Sequence, residues 1–166
     1  MIISHEHRFI FAAIPKTGTH SVRRALRKRL GAKDEEQVRL FVESALPYPE
    51  LAALRHGHIS LHQLRQHVDA NVFDGYFKFA FVRNPFDRFV SYCSFMTRDT
   101  DVFERSPREV MRSILNAPPE QHVLFQPQHV FVTALDGSIL ADGLGRVEEM
   151  QSSYDGFCGR IGIPTE

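Results

Sequence analysis

The sequence of 166 residues is short of cysteine, of long apolar runs and of net charge, and each shortage excludes a class of protein. Its two cysteines, Cys93 and Cys158, lack a closely spaced partner. We therefore expect free buried thiols in a reducing compartment, and neither a disulfide framework nor a metal site. No apolar stretch reaches about 18 residues, and a polar segment precedes the first short apolar run, so neither a membrane span nor a signal peptide is predicted. Twenty Lys and Arg balance twenty Asp and Glu, which gives no overall positive field for nucleic acid.

These shortages predict a cytoplasmic protein that binds neither nucleic acid nor a membrane. A hydrophobic content of 43% suits one α/β domain over residues 1–166. Because predicted strands alternate with predicted helices, we expect a three-layer parallel sheet flanked by helices, with ligands beyond the carboxyl ends of the strands. The predicted elements are strand 8–14, helices 19–30 and 35–46, a turn at 47–50, a mixed region at 51–70, strand 76–82, helices 85–98 and 107–116, strand 129–134 and helix 147–161.

The segment Pro15–Ser21 is the first feature that carries chemistry. It follows the apolar run Phe9–Ile14 and precedes a basic amphipathic stretch at 22–30, an order that reads as strand, tight loop and helix. Such a junction directs several backbone N–H groups at one point, at the positive end of the helix dipole, beside Lys16 and several hydroxyls. The loop therefore predicts an anion site, although a solvated lysine at an ordinary turn would leave the same pattern.

The same loop argues against a magnesium-dependent nucleoside triphosphatase. In that class the lysine follows the second glycine and is itself followed by Ser or Thr. Here Lys16 precedes Gly18, which is the loop's only glycine, and the later strand ends in Arg83 where an aspartate would complete a metal site. We expect an anion that is held without a metal.

A second anion contact is predicted at the end of the apolar strand Phe77–Val82. Arg83 follows that strand, Asn84 suits a helix N-cap, and Pro85 suits the first helical position. Ser91 then lies on the new helix. Arg83 and Ser91 can both reach the top of the sheet, where a guanidinium and a hydroxyl would hold a second phosphate.

Together the two segments resemble the motifs of sulfotransferases that use 3′-phosphoadenosine 5′-phosphosulfate (PAPS), especially the carbohydrate-type branch. The resemblance runs from about 8 to 164 and implies a P-loop nucleoside-triphosphatase-like sulfotransferase fold. Golgi relatives carry a membrane anchor that is lacking here, which favours a bacterial origin. Relatives usually continue through another helical stretch, so the domain is expected to be short at its C-terminus, as a compact version or one lacking a lid. The resemblance implies that the 5′-phosphosulfate is bound by Pro15, Lys16, Thr17, Gly18, Thr19, His20 and Ser21, and the 3′-phosphate by Arg83 and Ser91.

The implied reaction moves a sulfuryl group from PAPS to a hydroxyl of a carbohydrate or related small molecule, without a metal. Lys16 would stabilise the leaving oxygens, and a general base would accept the acceptor proton. We choose His58 as this base, with His56 second, because a histidine followed by a small hydroxyl residue precedes the second motif in relatives. His20 replaces the small hydroxyl residue usual in the loop, which leaves the 5′-phosphate to Thr19, Ser21 and backbone N–H groups.

Several alternatives stay open. The protein could hold PAPS or its product without turnover, or, less favourably, be an atypical P-loop kinase. Zinc at His56, His58 and His62 ranks low, because Gly57 weakens a helix there. The arginines of the first helix, Arg23 among them, are assigned to its solvated face. Gln126, Gln128 and His129 could line the acceptor side, although ordinary polar surface is the favoured interpretation. The sequence sets no oligomeric state.

Overall fold

A five-stranded mixed sheet forms the centre of the protein. The computed structural model describes residues 1–38 and 45–165. Strands β2, β4 and β5 run parallel, whereas β1 pairs antiparallel with both β2 and β3. The order across the sheet is β3-β1-β2-β4-β5. The strands are β1 (Ile2–Ser4), β2 (Phe9–Ala12), β3 (Glu35–Glu36), β4 (Phe77–Val82) and β5 (Gly143–Arg146).

The α/β class is therefore confirmed, but the expectation of a parallel sheet is wrong for one side of it. Only residues 5–8 connect β1 to β2, and so short a connection allows a hairpin but no crossover helix. The first strand consequently lies antiparallel to the second, and the parallel part begins at β2.

Eight α-helices are described, with two short 3-10 helices at Gln128–Phe131 and Val147–Glu149. Helices α1, α5, α7 and α8 agree with the sequence predictions in position. The α-helices are α1 (Thr19–Arg27), α2 (Pro49–Ala52), α3 (Leu61–Arg65), α4 (Ala70–Gly75), α5 (Pro85–Met96), α6 (Val102–Arg105), α7 (Pro107–Asn116) and α8 (Met150–Ile161).

Alternate residues of the strands supply two hydrophobic cores, one on each face of the sheet. On one face Phe11 and Phe79 pack with Leu26 of α1 and with α8. On the other face Ile10 and Ala80 pack beneath α3, α4 and the segment around 131. Helices thus cover both faces, and the carboxyl ends of β2 and β4 remain open at one edge.

Two predicted elements differ from the structure. The helix expected at 35–46 is a strand at Glu35–Glu36, and the part at 39–44 lies outside the described residues. The strand expected at 129–134 is instead a 3-10 helix at Gln128–Phe131, and the Thr133 hydroxyl, two residues after its end, donates to the carbonyl of His129 (3.0 Å). That turn buries Phe131 and Val132 side by side, which a strand with alternating faces would not do.

Two further sequence expectations, on the cysteines and on membrane-spanning helices, can be compared with the fold. Cys93 and Cys158 are buried free thiols, as predicted, and burial raises the pKa of both. Within residues 1–38 and 45–165, none of the helices has both the length and the apolar character that a membrane crossing requires.

Candidate functional site

The loop between β2 and α1 presents free backbone N–H groups at a helix N-terminus. Lys16 and Gly18 adopt left-handed backbone angles, with φ of 64° and 71°. The carbonyl of Gly18 accepts hydrogen bonds from the N–H groups of Ser21 (3.0 Å) and Val22 (3.3 Å), which begins α1. The N–H groups of Thr17, Gly18 and Thr19 donate to no group in the described part of the chain. Unsatisfied N–H groups at a helix N-terminus attract an anion.

Gly18 is favoured by its φ of 71°, which lies in the left-handed region. A Cβ atom at this position would collide with the terminal methyl of Met150, at the start of α8. The loop therefore packs against the start of α8 at Met150.

The second motif forms the strand end and helix start that the sequence predicts. The side chain of Gln128 bonds both the N–H and the carbonyl of Arg83, each at 2.8 Å, and so fixes the end of β4. The Asn84 side chain accepts from the N–H of Phe86 (2.9 Å), which caps α5. Ser91 follows two turns into this helix.

One cleft of about 440 Å³ brings most of the predicted residues together. Among the described residues no carboxylate lies within ion-pair distance of Lys16 or Arg83 and none lines the cleft, although the charge of Arg83 acts on the exposed carboxylate of Glu148. The cleft is therefore a strongly positive space. Its lining consists of Lys16, Gly18, Thr19, His20, Arg23, Val38, Arg55, His56, Gly57, His58, Arg83, Ser91, Phe95, His122, Val123 and Leu124.

Burial and neighbouring cations both act on Lys16. They lower the pKa of its ammonium group from 10.5 to about 8, with burial the larger cause and the charges of Arg83 and Arg98 following. The Nζ atom lies 4.0 Å from the centre of the Phe95 ring, and the Arg98 guanidinium lies 4.2 Å from the same ring. The aromatic face stabilises the cations where no described carboxylate pairs with Lys16.

His58 is held as a neutral imidazole. Its Nδ1–H donates to the carbonyl of Ala13 (2.7 Å), which leaves the lone pair on Nε2. Burial lowers the pKa of His58 to about 3; the bond to Ala13 opposes this effect, and nearby positive groups including Arg23 add to it. His58 is therefore a hydrogen-bond acceptor at Nε2 at neutral pH.

The other histidines differ in their surroundings. His56 lies with its ring centre 6.2 Å from that of His58, and its buried Nδ1 has no hydrogen-bond partner among the described residues. His20 is exposed, and burial of its ring atoms together with the charges of Arg23, Lys16 and other α1 cations lowers its pKa. In the ranges 1–38 and 45–165, His, Cys, Asp and Glu form no cluster of three suited to a metal ion.

Three residues of the predicted loop site do not line this cleft. Pro15 and Thr17 are buried, and the Thr17 hydroxyl donates to the carbonyl of Ile14 (2.9 Å). Ser21 lies instead on a separate pocket of about 240 Å³ with Tyr154 of α8. Their contact with a bound anion stays a prediction.

Arg23 corrects the assignment of the α1 arginines to the solvated face. Only 4% of this residue is exposed. Its Nε donates to Glu36 (3.2 Å) and its terminal nitrogen donates to the carbonyl of Gln37 (2.8 Å). The partners lie in β3 (Glu36) and directly after it (Gln37), a segment that the sequence analysis predicted as helix, so the burial of Arg23 was not predicted.

Arg88 is a structural residue of the site that sequence reasoning missed. Its Nε donates to the carbonyl of Pro15 (2.9 Å). A terminal nitrogen donates to the carbonyls of Leu124 (3.1 Å) and Gln126 (2.8 Å). One guanidinium thus joins the loop, α5 and the segment 124–126. Arg88 lies in the second motif, between Arg83 and Ser91, and this position was the one sequence signal that could have identified it.

An α/β sheet edge with a glycine-containing loop, a second cationic residue and a neutral histidine is typical of the class of proteins that bind anionic ligands. Comparison with family models gives that class a family. The model described as the sulfotransferase family matches residues 1–119, which include both motifs, and the chain belongs to this family. No curated protein and no solved structure matches the chain. Family membership makes the protein a transferase, with sulfuryl transfer as its general activity.

Proposed function

We propose that this protein is a sulfotransferase that moves a sulfuryl group from PAPS to a hydroxyl of a carbohydrate or a related small molecule. The observation that carries the proposal is the meeting of both motifs at one positive cleft, where Lys16 and Arg83 lack a described ion-pair partner. The strand, glycine-containing loop and helix at the open sheet edge also support a fold of the P-loop nucleoside-triphosphatase-like kind.

The two ends of the donor have different partners in this proposal. The N–H groups of Thr17, Gly18 and Thr19 and the ammonium of Lys16 bind the 5′-phosphosulfate. Arg83 and Ser91 bind the 3′-phosphate, where a guanidinium donates to two oxygens at once. Gln128 holds the Arg83 backbone, so that the guanidinium starts from a fixed point.

The transfer is an in-line displacement at sulfur. The acceptor oxygen forms a bond to sulfur as the bond from sulfur to the bridging phosphate oxygen breaks, and that electron pair remains on the phosphate. The acceptor proton passes to Nε2 of His58 and then to water. Lys16 stabilises the charge that develops on the leaving phosphate. The products are a sulfate ester, 3′-phosphoadenosine 5′-phosphate and a proton.

The kinase alternative is disfavoured by Thr17, the hydroxyl residue that follows Lys16. Its hydroxyl is buried and donates to the carbonyl of Ile14. A kinase would use a hydroxyl at the phosphate loop as a magnesium ligand. Calorimetry tests this alternative directly, by comparing 3′-phosphoadenosine 5′-phosphate with ATP and magnesium.

We expect the bisphosphate to bind the wild-type protein and ATP with magnesium to bind far more weakly. Arg83→Ala should weaken bisphosphate binding about tenfold or more, because a charge-assisted contact is worth about 1.5–3 kcal/mol. Arg108→Ala is the matched control, since Arg108 is exposed on α7 and lies outside the cleft. Tight ATP binding with no bisphosphate binding would contradict the proposal.

The binding-only alternative is separated by transfer of labelled sulfate from PAPS to a panel of glycans. His58→Ala should reduce turnover by about 100-fold or more while leaving bisphosphate affinity within about threefold, because a general base contributes to the reaction step. Turnover that survives His58→Ala undiminished would remove His58 from the mechanism. Bisphosphate binding without any turnover on the panel would favour the binding-only protein.

A further inference from the structure

A second groove of about 580 Å³ lies beside the positive cleft and shares His56, His58 and Val123 with it. His58 therefore borders both spaces. The groove is formed by the start of α3, the segment 121–126 and the turn region that follows the 3-10 helix at 128–131. Its described lining consists of His56, His58, Ser60, His62, Gln63, Gln121, Val123, Gln126, His129, Val130, Phe131, Thr133, Ala134, Leu135 and Gly137.

The two spaces differ sharply in charge. Lys16, Arg55 and Arg83 line the cleft, together with Arg23, whose charge is paired with Glu36, whereas the described lining of the groove contains no Lys, Arg, Asp or Glu. A bound carboxylate or sulfate in the groove would lose water without gaining a Lys or Arg partner, since the basic groups of the described lining are the imidazoles of four histidines, and a bound ammonium would gain no carboxylate. Burying an unpaired charge is costly, so the groove disfavours both kinds of group.

The polar groups of the groove suit hydroxyls. The Gln63 side-chain oxygen accepts from the backbone N–H (3.0 Å) and the hydroxyl (3.1 Å) of Ser60, which leaves its NH₂ group to donate. The NH₂ group of Gln126 donates to the carbonyl of Glu120, which leaves its oxygen to accept. One fixed amide thus offers a donor and another an acceptor. A hydroxyl group, which both donates and accepts, can satisfy each of them.

The remaining wall is apolar. Val130, Phe131 and Leu135 contribute to it, and Leu135 is 88% exposed. An apolar wall beside fixed amides matches a molecule with an apolar face and a hydroxyl-bearing edge. A pyranose ring has this shape, because its C–H groups and its hydroxyls lie on different sides.

We infer that the groove lined by Gln63, Gln126 and Leu135 binds the acceptor, and that it selects an uncharged, hydroxyl-rich acceptor over an anionic or cationic one. The inference rests on the proposed function, because His58 at the junction of the two spaces is the group that would accept the proton. Charge is thereby divided between the two substrates: the donor is the anion, and the acceptor is neutral.

The test compares matched neutral and acidic acceptors. Labelled sulfate transfer is measured for the p-nitrophenyl glucoside and glucuronide and for the corresponding galactoside and galacturonide, which differ by one carboxylate. Bisphosphate binding is measured by calorimetry on the same protein. We expect kcat/KM for a neutral glycoside to exceed that of its acidic partner by about tenfold or more.

Gln121→Lys places a cation in the groove. It should reduce the ratio of kcat/KM for a neutral glycoside to kcat/KM for its acidic partner by about fivefold or more, and it should leave the bisphosphate affinity unchanged. Gln121 is exposed and forms no side-chain hydrogen bond in the described part of the chain, so the substitution leaves folding intact. Asn71→Lys adds the same charge on α4, outside both spaces, and should leave the preference as it is.

Equal or better transfer to the acidic glycosides would overturn the inference, as would an unchanged preference in Gln121→Lys. Bisphosphate binding without transfer to any of the four glycosides would also overturn it, while the donor site would stand. If the wild-type protein does not bind the bisphosphate at all, the proposed function is contradicted, and the inference about the groove is contradicted with it.

Discussion

Raising the pH should weaken the binding of 3′-phosphoadenosine 5′-phosphate by removing the charge of Lys16. The pKa of the free ammonium group is lowered to about 8 by burial and by Arg83 and Arg98. Bound phosphates would raise this pKa again, because they favour the charged form. The complex therefore keeps a proton on Lys16 that the free protein loses as the pH rises through about 8. The affinity for the bisphosphate consequently falls as the pH rises.

The size of the effect follows from the two pKa values. At about pH 7 roughly nine-tenths of the free protein carries the Lys16 proton, and at about pH 9.5 only a few per cent does. If binding restores the pKa to its ordinary value of 10.5, affinity falls about 25-fold between these two pH values, or about 2 kcal/mol. If binding raises the pKa of Lys16 by less than this, the loss of affinity between the two pH values is smaller.

Among the groups that face Lys16, none of the others titrates in this window. Arg83 and Arg98 contribute permanent guanidinium charges. The pKa of His20 is lowered below its usual 6.5, so this imidazole is neutral throughout. The phosphates of the ligand have lost their second proton above about pH 7. The pH dependence therefore reports on Lys16.

The assay is isothermal calorimetry in pairs of buffers with different ionisation enthalpies, which also counts protons taken up on binding. About half a proton per complex is expected near pH 8, and nearly one near pH 9. Lys16→Arg is the matched control, since it keeps its charge and should lose the dependence. An affinity that stays level in the wild-type protein, or falls equally in Lys16→Arg, would refute the reasoning.

Three further changes test the frame of the site. Gly18→Ala should lower the free energy of unfolding by about 1–3 kcal/mol in urea titration, because of its positive φ and the contact with Met150, and a result indistinguishable from wild type would contradict this. Arg88→Leu should cost about 2–4 kcal/mol in the same assay, because three buried or half-buried carbonyls lose their donor; a loss below about 0.5 kcal/mol would show that water replaces it. Phe79→Ala should cost about 3–5 kcal/mol, since Phe79 is fully buried against Phe11 and Phe157, whereas the exposed Phe86→Ala should cost under about 0.5 kcal/mol.

The parts of the fold that follow local rules were predictable from sequence. Asn84, Pro85 and Asp87 start a helix by capping, ring geometry and charge, and α5 begins where they place it. The loop at 15–21 could be placed because a buried apolar run precedes it and because it contains a glycine. Both signals act within a few residues, so no distant contact could override them.

The missed parts depend on distant partners. Strand β5 contains Gly143 and Gly145, which lower its strand propensity. A Cβ at either position would approach the ring of Phe157 within 3 Å, so the glycines are needed where α8 packs on the strand. That requirement comes from α8 and cannot be read in the four residues themselves. The burial of Arg23 depends in the same way on Glu36.

The low pKa of His58 bears on its proposed role as a base. Burial is its largest cause, and positive groups add to it, so a bound donor anion would offset only the second part. His58 then remains neutral at pH 7 whether or not the donor is bound, with Nε2 ready to accept a proton. Such a weak base cannot remove the acceptor proton before the reaction begins. Proton transfer to Nε2 becomes favourable only as the new bond to sulfur makes the acceptor hydroxyl more acidic, which ties proton transfer to cleavage of the sulfur–oxygen bond. An uncharged acceptor suits this order of events, because it would bring no charge of its own to shift the protonation of His58.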